Sequence, residues 1–108
     1  MKPSKFNKMV KKRLKAIEET LIAKATEYAN GEDRLHNFNT AVLMAGEETT
    51  KKQCLHGMKL KHDVAVNDLI FDRCEVSEYL INEKIGDSIC YLILLEAMLW
   101  DELEEREK

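Results

Sequence analysis

The chain has a single proline, Pro3, and four isolated glycines, Gly31, Gly46, Gly57 and Gly86, which leaves its 108 residues almost nothing to turn a many-stranded sheet. That argues against an all-β fold. A chain of this length buries roughly 65% of its unfolded surface, enough for one hydrophobic core and not for two, so residues 1–108 read as a single domain. The longest wholly apolar run, Ile89 to Leu95, is closed by Glu96 after seven residues, far short of the roughly 20 a membrane span needs. The expectation is a soluble protein with no membrane partner. Cys54, Cys74 and Cys90 form neither a CxxC motif nor Cys/His zinc spacing, and their odd number does not suit a disulfide framework. A reducing cytoplasm fits them best.

A formal net charge of −3 conceals a polar distribution of charge. Residues 1–15 carry Lys2, Lys5, Lys8, Lys11, Lys12, Arg13 and Lys15 with no acid, whereas residues 101–108 carry Asp101, Glu102, Glu104, Glu105 and Glu107 against Arg106 and Lys108. The basic end lacks a following apolar segment, so it does not read as a secretory signal. It reads as a solvated helix face that meets acidic surface from this chain or a second copy, or that touches nucleic acid.

Apolar positions Phe6, Met9, Val10, Leu14, Ile17, Leu21 and Ala25 recur at helical spacing and predict one amphipathic helix over 5–29, stopped at Asn30-Gly31. Asp33 can cap a short helix over 34–46 that Gly46 ends, and Thr49 or Thr50 can cap a third over 51–71. Ser77 opens the last helix, 78–105, whose Leu80, Ile81, Ile85, Ile89, Leu92, Leu95, Leu99 and Leu103 keep a period near 3.6. Between Ile89 and Leu95 that helix is apolar on every side, which predicts that it is central or partly buried in a dimer or higher oligomer. The expected architecture is all-α: an antiparallel four-helix bundle or an orthogonal variant of one.

Three places concentrate polar residues that could do chemistry. The first joins Lys24, Glu27 and Tyr28 to the loop and helix start containing Asp33, Arg34, His36 and Asn37. Free N–H groups at a helix start, beside Arg, His and Asn side chains, suit an anion or a base. The second is the stretch Met58 to Asp68, where His62 falls on the apolar stripe and Asp63 and Asn67 are i, i+4 neighbours. The third is Asn82 to Ser88. There Glu83 and Asp87 repel at i, i+4 unless a Lys or Arg from another helix, or Mg²⁺, lies beside them, and Gly86 points to close approach of another group.

These residues carry a resemblance. Glu83-Lys84-Ile85-Gly86-Asp87, followed by an apolar run, resembles the E-x-x-G-D signature of the MazG-like all-α nucleoside triphosphate pyrophosphatases. Lys24-Ala25-Thr26-Glu27-Tyr28, the run Asp33 to Phe38 and the stretch Gly57 to His62 are similar to elements of their small phage-encoded relatives, so the likeness spans about residues 21–99. It implies a helical dimer in the host cytoplasm whose Glu83, Asp87 and Asp63, with Asn67, hold Mg²⁺ on a nucleotide while Lys24, Arg34 or Lys61 neutralise phosphate. The family's E-x-x-E pair is missing, however, for the earlier helix offers only Asp63 with Asn67, and Lys84 stands where a second glutamate usually precedes the x-G-D triplet. Fewer carboxylates and more Lys, Arg and His suit a site that grips phosphate directly.

The resemblance, taken with these residues, implies a phage accessory protein that binds and sequesters a phosphorylated nucleotide, with Lys24, Tyr28, Arg34, His36, Asn37, Lys61 and His62 as the expected ligand contacts. A Mg²⁺-dependent pyrophosphatase using Asp63, Glu83 and Asp87 as metal ligands is the enzymatic alternative. A helical module that docks its basic first helix on a protein or nucleic acid is the third, disfavoured for nucleic acid because aromatic residues are few and scattered. Phosphate-loop, dinucleotide and serine-hydrolase motifs are absent.

Overall fold

The computed structural model describes residues 1–23, 33–46 and 48–107, and among these every regular element is a helix, with no strand. Helix α1 (Pro3–Glu18) opens on the proline, whose fixed φ suits a first helical turn, two residues earlier than the periodicity alone indicates. It passes into a π turn over Glu19–Ala23. The rest of the first helix as expected from the sequence, residues 24–29, lies outside the described residues.

Asp33 delays helix α2 (His36–Ala45) by engaging the turn before it. Its Oδ1 accepts the Leu35 backbone N–H at 2.9 Å, and its Oδ2 accepts from Asn39 Nδ2 at 2.6 Å. Gly46 closes α2 with a φ of 115°, which an L-residue would adopt only with strain. Helix α3 (Lys51–Ile70) starts with a reciprocal capping box: Thr50 Oγ1 accepts from the Gln53 N–H, and Gln53 Oε1 accepts from the Thr50 N–H. Asp72, at a φ of 55°, turns the chain away after α3. Ser77 Oγ then accepts the Leu80 N–H at 3.1 Å to start α4 (Glu78–Leu80), which runs through a second π turn, Ile81–Ile85, into α5 (Gly86–Glu107).

Contacts along the chain fix the helix directions. Lys52 pairs with Glu102 at 2.7 Å while His62 lies beside Asp87 and Tyr91, so α3 and α5 are antiparallel. Arg13 reaches the start of the last helix, donating to the Ile81 carbonyl at 3.3 Å and the Asn82 carbonyl at 3.4 Å, and Thr20 and Leu21 lie further along α5 near Tyr91 and Leu94. Helix α1 thus runs in the same sense as α5. The Arg13 guanidinium donates to two carbonyls of the π turn, of which Asn82 O also accepts the Gly86 N–H. The guanidinium also packs closely on Gly86: a Cβ there would lie 2.6 Å from Arg13 Nη1, which would have to move aside.

The core is small. Leu35, Phe38, Leu55 and Met98 form its buried centre, with Tyr91, Leu94 and Leu95 packed against it. Helix α5 contacts both α1 and α3, yet its apolar circumference is only partly covered, with Leu92 and Ile93 53% and 41% exposed. No helix among the described residues is long and apolar enough to cross a membrane.

Candidate functional site

Helix α3 turns Met58, Lys61 and His62, at i, i+3 and i+4, toward a cleft of about 460 Å³. Helix α5 answers with Asp87, Cys90, Tyr91 and Leu94, again a single helical face. Arg34, Asn37 and Phe38 enter from the turn and first residues of α2, and Thr20 and Leu21 come from the first π turn. Four segments remote in sequence therefore converge on one concavity, which is bounded by aromatic and aliphatic walls and edged by two permanent cations, Arg34 and Lys61.

His62 forms the floor. Its side chain is 7% exposed, and its ring lies 5.4 Å from the Tyr91 ring at a tilt of 34°. Its buried Nδ1 has no hydrogen-bond partner among the described residues, and Asp87 Oδ2 stands 3.7 Å away, beyond hydrogen-bonding reach. A buried polar nitrogen without a partner is costly, and a ligand or water that supplied one would remove that cost. Asp87 is half-exposed at the edge of the same cleft. Burial first, and the Asp87 charge second, push both the Cys90 thiol and the Tyr91 hydroxyl above their ordinary pKa values, so both remain protonated at neutral pH.

Of the residues singled out in the sequence, Arg34, Asn37, Lys61, His62 and Asp87 line this cleft. His36 does not; it is exposed at the first position of α2. Lys24 and Tyr28 lie outside the described residues. Asp63 is one residue past His62, about 100° further around α3, and so faces away. It pairs with Lys59 and borders a separate groove with Asn67 and Ile85. Glu83 and Asp87 share a third groove with Arg13, the cation from another helix that the like-charge pair calls for. Glu83 does not reach the main cleft.

Of the three carboxylates named as metal ligands, Glu83 and Asp87 share one groove, Asp63 borders another, and only Asp87 also touches the main cleft. Among the described residues no group of three or more His, Cys, Asp or Glu side chains is placed to hold a metal ion. This arrangement does not fit a Mg²⁺ centre built from Asp63, Glu83 and Asp87 together.

Sequence reasoning missed the walls and one anchor. Neither Phe38 nor Tyr91 is among the site residues singled out in the sequence, and the hint of their role is the i+4 spacing of each from a polar cleft residue, Arg34 and Asp87. Arg13 gives no local signal, since its carbonyl partners are 68 and 69 residues away. No family model, no curated protein and no solved structure matches the chain.

Proposed function

We propose that the cleft binds a phosphorylated nucleotide and holds it without turnover. The observation that carries this reading is the convergence of Arg34, from the turn before α2, with Lys61 and the buried His62 of α3 onto a concavity walled by Phe38 and Tyr91. The two permanent cations supply charge-assisted hydrogen bonds for phosphate oxygens, the aromatic walls offer a π-face to a base, and Asn37 and Asp87 supply an amide and a carboxylate for its polar edge or for a sugar hydroxyl. A volume of about 460 Å³ falls in the range of small-ligand sites. Retention is favoured over hydrolysis because only Asp87 of the three carboxylates borders the cleft, Glu83 lying in a side groove with it and Asp63 in another.

The likeness to small phage-encoded MazG-like proteins supports a role as an accessory protein that removes a nucleotide from the host's free pool. Calorimetry against mono-, tri- and cyclic nucleotides, with and without Mg²⁺, tests the reading. Stoichiometric binding that survives chelation and leaves the nucleotide intact is the expected result. Metal-dependent release of pyrophosphate that Asp87→Asn abolishes would replace retention with catalysis, and silence across the panel would remove the nucleotide altogether.

A further inference from the structure

We infer that a second copy of this chain packs antiparallel along α5, with the basic α1 of each protomer lying on the acidic end of the other's α5. Three observations lead there. The first is a seam on α5 and the π turn before it. Ile85, Ile89, Leu92, Leu99 and Leu103, with Glu96 between, follow alternating steps of four and three, the spacing of a coiled-coil contact. This seam is only partly covered by the other helices, leaving Ile85, Leu92, Leu99 and Leu103 exposed by 36–53%. Beside it runs an open groove of about 340 Å³ between α3 and α5, lined by Val66, Ile70, Ile85, Ile89 and Leu92, which is a receptacle for side chains of a facing helix.

The second observation is area. A compact 12.5 kDa monomer is expected to expose about 6,200 Å², whereas this chain exposes 8575 Å². Its radius of gyration is 16.3 Å, where about 13 Å is usual for its length. The surplus surface exceeds the roughly 800 Å² per partner of a standard interface and matches an obligate one.

The third is charge, and it decides both occupant and direction. Because α1 runs in the same sense as α5 and Arg13 already reaches residues 81 and 82, the lysines before Arg13 project past the start of the last helix. Glu104 lies 22 residues beyond Asn82, about 33 Å along the helix. Within one protomer the basic and acidic ends therefore stand at opposite poles of a molecule 48 Å long. A parallel pair would stack acid on acid and base on base. An antiparallel pair sets Lys5, Lys8 and Lys12 of one protomer near Asp101, Glu104 and Glu107 of the other, and it also covers Phe6 and Met9, which are 52% and 47% exposed on the overhanging turns of α1.

Sedimentation equilibrium of the full chain tests this. The wild type is expected to be a dimer that weakens with added salt. Reversing Lys5, Lys8 and Lys12 to Glu, or Asp101, Glu104 and Glu107 to Lys, should each raise the dimer dissociation constant about tenfold or more, and combining both sets in one chain should restore it. Circular dichroism confirms that each variant keeps its helices. Leu99→Glu on the seam should give a folded monomer. A wild type that stays monomeric at every concentration would overturn the proposal. So would a dimer indifferent to either reversal, or one that the combined reversals fail to restore, since a parallel pair or another face would behave that way.

Discussion

Asp33 shows how one side chain sets a boundary and a pH response. Hydrogen bonding from the Leu35 N–H, aided by the Asn39 amide, holds its carboxyl below the ordinary value of 3.8. A carboxyl lowered in the folded state contributes stability that is complete above the ordinary range and is lost as pH falls through the folded value. Replacing Asp33 by Ala should therefore cost about 1 kcal/mol at neutral pH, measured by urea titration, and the difference from wild type should shrink as the pH falls through the lowered folded-state value. Cys90 and Tyr91 respond in the opposite sense. Both are raised by burial and then by Asp87, so the stability they contribute persists at neutral pH and fades as pH rises beyond about 9. In thiol labelling at pH 7.4, exposed Cys74 should react first and buried Cys90 last. A nucleotide in the cleft should slow Cys90 further and leave Cys74 unchanged.

Helix α3 illustrates what periodicity reveals about an element and what it does not. The stripe through Leu55, Met58 and His62 was legible because 3.6 residues per turn leave a repeating apolar signal, and the caps at Thr50, Ser77 and Gly46 were legible because each is a local matter of hydrogen bonding or φ. The contents of the cleft were legible only as separate motifs. Arg34, Lys61, His62 and Asp87 stood out as polar residues in odd positions, but their convergence depends on how α2 crosses α3 and α5, which no local pattern encodes. The set of carboxylates shows the same limit: Asp63 follows His62 directly in sequence, and adjacent helical residues point about 100° apart, so Asp63 borders a different groove. The π turns carry no recognisable sequence signal either, and the second is held by Arg13 from another helix. Arg13→Ala should cost about 0.5–1.5 kcal/mol by removing two exposed hydrogen bonds to the Ile81 and Asn82 carbonyls, read from the urea midpoint. Gly86→Ala should cost less, because the Arg13 guanidinium can swing away from the added methyl group.

At the scale of the whole molecule, a small core and a long apolar seam pull in one direction. Leu35, Phe38, Leu55 and Met98 make a centre too small to account for the apolar residues this chain carries, and much of the remainder lies on α1 and α5 in continuous faces rather than scattered. The cleft sits on the other side of α5 from the seam, walled by Phe38 and Tyr91, so pairing of copies and capture of a ligand do not compete for the same surface. Arg34→Ala and Lys61→Ala should each weaken nucleotide binding by about 10- to 100-fold, as loss of one charge-assisted hydrogen bond would, while leaving the thermal midpoint within a few degrees of wild type. The most direct test of the central claim is a nuclear magnetic resonance titration of isotope-labelled protein with the nucleotide that binds tightest in calorimetry. Shifts concentrated at Arg34, Phe38, Lys61, the His62 imidazole and Tyr91 are the predicted result. Shifts confined to the lysines of α1, or none at all, would contradict it.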